Sequence, residues 1–136
     1  MAWVLDSSMA LAWALPDEDS PSAQRFFRGL SAADRLLVPA LWWSDVSNAL
    51  LAAQRRRRLP EAEALRALEL FGKLPVETDG ASGLEAAWRW FALGREHGLS
   101  VYDACYLELA QRTGAGLASL DKTLTAAARK AGVRTF

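Results

Sequence analysis

An α/β domain built on a parallel sheet is the fold class this sequence predicts, and three observations predict it. Short apolar runs alternate with longer stretches of helical period, the order expected when helices flank a parallel sheet. The apolar runs are brief, which suits strands buried on both faces. A chain of 136 residues with 51% hydrophobic content can bury roughly two thirds of its unfolded surface in a core without staples. Residues 1–136 therefore read as one domain, and internal repeats, low-complexity segments and long linkers are absent.

About five strands are predicted, at residues 3–5, 36–38, 76–77, 116–119 and 133–135. The first helix runs from Ser7 to about Leu15, where Pro16 helps to end it. Residues 17–22 are polar and turn-like, and Ala23 to Leu30 reads as a second helix with Gly29 near its end. Pro39 lies where a helix can start, and Leu41 to Arg57 follows with few breakers. Pro60 opens a helix that is apolar at Ala64, Leu65, Leu68 and Phe71 and closed by Gly72. Leu84 to His97 carries Leu84, Trp88 and Phe91 on one face and stops at Gly98. Tyr102 to Thr113 stops at Gly114, and Asp121 to Ala131 is the last helix, ended by Gly132.

Lys+Arg and Asp+Glu both number 16, so the net charge is zero. No global basic field announces a nucleic-acid partner, and any such contact must be a local patch. A single cysteine excludes an internal disulfide framework and fits a reducing cytoplasm. Neither a signal peptide nor a membrane-length apolar run occurs. The expectation is a cytoplasmic protein with no membrane partner.

Four aspartates carry the functional signal. Asp6 directly follows the apolar run Trp3, Val4, Leu5, and Asp121 follows the run at 116–119. In an open α/β sheet, ligands bind beyond the carboxyl ends of the strands, where the strand order reverses. Both acids should point to that edge, and Asp103 starts a helix whose end should face the same way. Asp45 lies inside an apolar helical stretch beside Trp42, Val46 and Leu50, with Asn48 on the same face. Two carboxylates about 6 Å apart repel by roughly 3 kcal/mol at an effective dielectric of about 20. Gathering four raises their pKa values unless a cation offsets them. The donors are all oxygens, which selects Mg2+ or Mn2+ over zinc. Helix capping is the competing explanation for Asp6, Asp103 and Asp121; Asp45, in mid-helix, has no capping role. Spacing alone leaves capping and metal ligation both open.

Four ordered segments carry a family resemblance: VLDSS at 4–8, VPALWWSDVSNAL at 38–50, SVYDACYLELA at 100–110 and LASLDK at 117–122. Together they resemble PIN-domain proteins, and more narrowly the VapC-type toxins of toxin–antitoxin pairs, over essentially the whole chain. The resemblance implies a three-layer PIN-like fold with a five-stranded parallel sheet, and a Mg2+- or Mn2+-dependent endoribonuclease. It matches Asp6, Asp103 and Asp121 to acids that hold the metal and Asp45 to the second catalytic acid. Ser8, Ser119 and Asn48 match supporting positions. The family usually has Glu where this chain has Asp45, and the shorter arm implies action through water. The implied chemistry is in-line attack of an activated water on an RNA phosphodiester, leaving a 5′-phosphate and a 3′-hydroxyl. The implied partners are a cognate antitoxin, whose C-terminal segment crosses the acidic pocket, an RNA substrate and a second copy of the chain. The alternative is a catalytically impaired PIN-like protein that only binds antitoxin or RNA.

The remaining features read more plainly. The run Arg55 to Arg58 ends the third helix, favouring its macrodipole, and offers itself, with Lys122 and Arg129, to RNA phosphates. Trp13, Trp88 and Phe91 are assigned to the core. Trp42, Trp43, Trp88 and Trp90 cannot all face one core, so one or two belong to an interface. Cys105 is assigned to the core, with no histidine placed to activate it, and His97 to a helix C-terminus. Asp17, Glu18 and Asp19 are read as a solvated loop and Glu108 as facing solvent. Phosphotransfer modules are disfavoured: a haloacid-dehalogenase-type site needs an acid where Ser8 stands, a receiver domain needs an acceptor aspartate on a later strand, and glycine-rich phosphate-binding motifs are missing.

Overall fold

The computed structural model describes residues 1–136. In chain order the elements are β1 (Ala2–Leu5), α1 (Ser7–Ala14), α2 (Pro21–Arg28), β2 (Arg35–Pro39), α3 (Leu41–Arg55), α4 (Glu61–Lys73), β3 (Val76–Asp79), α5 (Gly83–His97), α6 (Val101–Thr113), β4 (Gly116–Ala118) and α7 (Lys122–Lys130). The strands form one parallel sheet in the order β3-β2-β1-β4. The chain lays β2 and β3 on one side of β1 and returns to place β4 on the other. The strand order therefore reverses between β1 and β4, and the crevice beyond their carboxyl ends is the expected ligand edge.

The sheet has four strands rather than about five. The segment expected at 133–135 does reach the sheet beside β4, but it pairs through a single bridge, Leu117 with Thr135. Leu117 N–H donates to Arg134 O and Phe136 N–H to Leu117 O, after which the chain ends. The second helix starts two residues earlier than expected, because Ser20 accepts the Ala23 N–H at 3.2 Å and Pro21 occupies the first turn. Pro39 closes β2 instead of opening a helix, and α4 continues through Gly72 to Lys73. Gly98 and Gly114 end α5 and α6 as expected, at φ 65° and 71°, a region glycine enters without a Cβ penalty.

The core is one cluster formed by both faces of the sheet and the inner faces of the helices, with Trp42, Tyr106, Phe71, Leu5 and Met9 among its fully buried members. Cys105 is buried as expected, and burial, then nearby Glu108 and Asp45, push its thiol up to about 11. Two core assignments fail. Leu84, Trp88 and Phe91 are exposed at 75%, 65% and 54%. Helix α5 packs on α6 through small residues instead: its buried positions are Ala86 and Gly94, and a Cβ on Gly94 would meet Leu99 O at 2.9 Å. That close approach turns the aromatic stripe outward. Leu65 and Leu68 of α4 are also exposed, while Ala64 and Phe71 are buried. Trp13 is half-buried and stacks on Phe27 at 4.3 Å.

Glu108 does not face solvent; it is 4% exposed. Its Oε1 accepts from Arg89 Nε at 3.1 Å and Arg112 Nε at 2.8 Å. The Arg112 guanidinium also grips Asp79 at 2.6 Å and holds the Asp79 carboxyl below the usual carboxylate range. This network ties α5, α6 and the end of β3 together. Likewise Asp17 and Glu18 are exposed but not free, since Arg58 pairs with both at 2.6 Å.

Gly116 lies where β4 passes under the ring of Trp3; a Cβ there would meet Trp3 Cζ3 at 2.6 Å. Trp3 in turn packs edge-on against Phe26 and Phe136. Gly116→Ala is expected to displace that ring and destabilise the protein by about 1–3 kcal/mol, read as a lower urea midpoint with an unchanged slope.

Candidate active site

Asp6 leaves β1 at the switch point, and its N–H donates to Ala118 O at 3.0 Å, locking the two strand ends together. It stands at the N-cap position of α1 yet makes no side-chain capping bond. Its carboxylate is directed elsewhere: Ser8 Oγ donates to Asp6 Oδ2 at 2.6 Å and Ser119 Oγ donates to the same oxygen at 2.7 Å. Each hydroxyl has one proton, and both are spent on Oδ2. In return Ser8 Oγ accepts the Leu120 N–H and Ser119 Oγ accepts the Asp121 N–H, each at 3.0 Å. Two serines thus fix one oxygen of Asp6 and leave Oδ1 free of either hydroxyl. Burial raises the Asp6 pKa, the two serine hydrogen bonds oppose that rise, and Asp121 adds to it.

Asp121 is the N-cap of α7, its Oδ1 accepting the Leu124 N–H at 3.0 Å. Capping and membership of the acid group coincide in this residue. Asp103 is different: Ser100 caps α6, accepting the Asp103 N–H at 3.1 Å, so Asp103 stands in the first turn with no capping work. Its pKa is raised by burial and then by Asp121, Asp6 and Asp45. Three aspartates from separate elements are therefore within electrostatic reach of Asp103. Asp45 is half-buried on α3, and burial raises its pKa while a hydrogen bond from Tyr106 opposes the rise. Tyr106 Oη donates to Asp45 Oδ2 at 2.8 Å. Asn48 is exposed on α3 and makes no hydrogen bond to the other site residues.

Two members escape a reading of the sequence. Tyr106 follows Asp103 by three residues, so helical spacing puts both on one face of α6; its aromatic character points to the core instead. Ser100 is hidden because Asp103 itself resembles a cap.

None of the four aspartates takes part in an ion pair. No three acidic or thiol or imidazole groups converge closely enough to enclose an ion on their own. An all-oxygen set with no ion-pair partner suits Mg2+ or Mn2+, which bind through one or two carboxylates and keep several waters. The donor set therefore fits such an ion.

The fold and site define an α/β domain with a parallel sheet and unpaired aspartates at its strand-end edge. A family model described as PIN domain matches residues 3–130, and the chain belongs to that family. Ribonuclease VapC3 of Pyrobaculum aerophilum is 36% identical over 124 residues, 91% of this chain and 92% of that protein. Among solved structures, PAE2754 from Pyrobaculum aerophilum shares the fold at TM-score 0.74 and 23% identity, over 99% of this chain and 89% of its own. VapBC2 from Rickettsia felis, bound to a DNA fragment from their promoter, superposes at 0.71 and 11%, over 100% and 98%. VapC20 from Mycobacterium tuberculosis, a sarcin-ricin loop cleaving toxin, superposes at 0.67 and 18%, over 92% and 94%.

The raised Asp103 pKa fixes the sign of a stability effect. The folded chain holds this proton more tightly than the unfolded chain, so the metal-free protein loses stability as pH rises from about the ordinary 3.8 through the folded value. Asp103→Asn removes that penalty. In metal-free buffer the variant is expected to melt at or above the wild-type temperature at pH 7, with the gap closing toward pH 4. Added Mn2+ should raise the wild-type melting temperature more than that of the variant.

Proposed function

We propose that this protein is a Mg2+- or Mn2+-dependent endoribonuclease, a single PIN domain acting in the cytoplasm as the toxin of a toxin–antitoxin pair. The observation that carries the proposal is that Asp6, Asp103 and Asp121 stand at the starts of three helices, with Asp45 in electrostatic reach of Asp103 and none of the four in an ion pair. The ribonuclease relative at 36% identity supports the reaction class.

When bound, the divalent ion supplies an acidified water and charge stabilisation on a phosphodiester oxygen. Asp6, oriented by Ser8 and Ser119, and Asp103 would be its main ligands. Asp121 would complete the acidic shell, and Asp45, held by Tyr106, would orient the attacking water. The phosphodiester is opened in line to a 5′-phosphate and a 3′-hydroxyl. Ser8 and Ser119 act through Asp6 as positioning residues. Asn48, exposed and one turn beyond Asp45, contacts the antitoxin or substrate rather than the ion.

The exposed stripes Leu84, Trp88, Phe91 on α5 and Leu65, Leu68 on α4 support two protein contacts, one with a second copy and one with the antitoxin. Asp45 favours a second reading, a binding protein with impaired catalysis, because its Oδ2 is already occupied by Tyr106. Manganese titration separates them: the impaired protein binds Mn2+ weakly and cuts no RNA once antitoxin is removed.

Asp6→Asn and Asp103→Asn are each expected to lower Mn2+-dependent cleavage of total RNA by on the order of 10²-fold or more while leaving the circular dichroism spectrum unchanged. Cleavage at the wild-type rate by either variant ends the assignment. Ser8→Ala and Ser119→Ala should cost about 10–100-fold in metal affinity or rate, since each removes one of the two bonds that orient Asp6.

A further inference from the structure

Resting on the nuclease reading, we propose that the groove between the end of α5 and helix α7 binds the sugar-phosphate backbone of the RNA strand through Lys122 and Lys130. The groove has a volume of about 460 Å³ and is lined by Glu96, His97, Lys122, Thr123, Ala126 and Lys130, with Glu96 beside His97 at 3.8 Å. One end of it lies at the start of α7, which Asp121 caps. Lys122 directly follows Asp121. His97, whose side chain is 10% exposed, ends α5 at the turn that leads straight into α6 and Asp103.

The layout of α7 suits an extended polyanion. Lys122, Ala126 and Lys130 recur at four-residue spacing, so they share one face of the helix. The two ammonium-bearing residues are separated by eight positions, about 12 Å of helix, and the methyl of Ala126 leaves the floor between them open. Neither lysine is committed to an ion pair.

Seven of the other cations are less well placed. Helix α3 starts beyond the carboxyl end of β2 and runs back toward the opposite edge. From Asp45 to Arg55 is ten residues, about 15 Å along its axis, with no cation between them, whereas α7 sets Lys122 directly beside Asp121 and leads from there to Lys130. Arg58 is held by Asp17 and Glu18. Arg89 and Arg112 are engaged by Glu108. Arg129 donates to Thr135 Oγ1 at 2.9 Å, on the side of the terminal bridge. A chain of zero net charge with an acidic centre needs a local source of attraction for RNA, and this groove supplies it beside the site.

The test is binding of a fluorescent single-stranded RNA to the Asp103→Asn protein, titrated between about 50 and 200 mM salt. Removing both charges with Lys122→Gln and Lys130→Gln is expected to shallow the slope of log K against log salt by about 1.4, at about 0.7 for each phosphate no longer neutralised. Lys122→Arg with Lys130→Arg should restore the slope, which a folding defect would not allow. Arg56→Gln with Arg57→Gln at the opposite edge should leave it unchanged. An unchanged slope in the double glutamine variant, in a protein whose wild-type form cuts RNA with Mn2+, overturns the groove alone. Failure of the Asp103→Asn protein to bind RNA, together with failure of the wild type to cut it, overturns the nuclease reading and the groove together.

Discussion

Parallel strands force a helix that follows a strand, or that spans the sheet to feed one as α6 feeds β4, to begin at the same edge, and the site depends on that constraint. Asp6 precedes α1, Asp121 caps α7 and Asp103 lies in the first turn of α6. Three of the four acids therefore stand where unpaired backbone N–H groups and the positive end of a helix dipole favour an anion, each by about 0.3–1 kcal/mol. That field offsets part of the mutual repulsion and lets the cluster exist without a basic side chain inside it. It does not cancel the repulsion, as the raised pKa values of Asp6 and Asp103 show.

The same topology explains why the serines are so close to Asp6. Strands β1 and β4 are neighbours, in register from Trp3 with Gly116 to Leu5 with Ala118. The residue after each pair, Asp6 and Ser119, must then be adjacent across the strand ends, and the turn into α1 brings Ser8 to the same carboxylate. Buried polar groups need partners, and a hydroxyl satisfies an acid without neutralising it. An arginine in that place would close the site to a metal.

Four of the strands and the helix stops at Gly98 and Gly114 are legible in the sequence because they rest on local signals, apolar runs and glycines, and so are the strand-end positions of Asp6 and Asp121. What is not legible depends on which face of a helix meets another element. The stripe of Leu84, Trp88 and Phe91 has the period of a buried face, yet a close α5–α6 approach through Ala86 and Gly94 puts it outside. Glu108 reads as solvated because nothing nearby in sequence announces Arg89, nineteen residues away and across the helix hairpin. The fifth strand falls short because a run such as Val133 to Thr135 reads alike whether it forms a ladder or one bridge. Capping is an even match for Asp6, Asp103 and Asp121 in sequence, and only the folded geometry separates them: Asp121 caps, while Asp6 and Asp103 do not.

Two groups of buried or half-buried acids coexist in this chain, and the contrast between them bears on function. Glu108 and Asp79 are met by two arginines, with Arg112 reaching both. An acid that serves only to join α5, α6 and β3 is neutralised on the spot, since an unpaired buried charge is costly. At the switch point the chain does the opposite, placing four carboxylates together and answering them with two serine hydroxyls and one tyrosine. Sixteen lysines and arginines were available, and none is placed there. The fold neutralises one buried acid thoroughly and leaves four others without a basic partner, and the proposed cation site rests on that contrast.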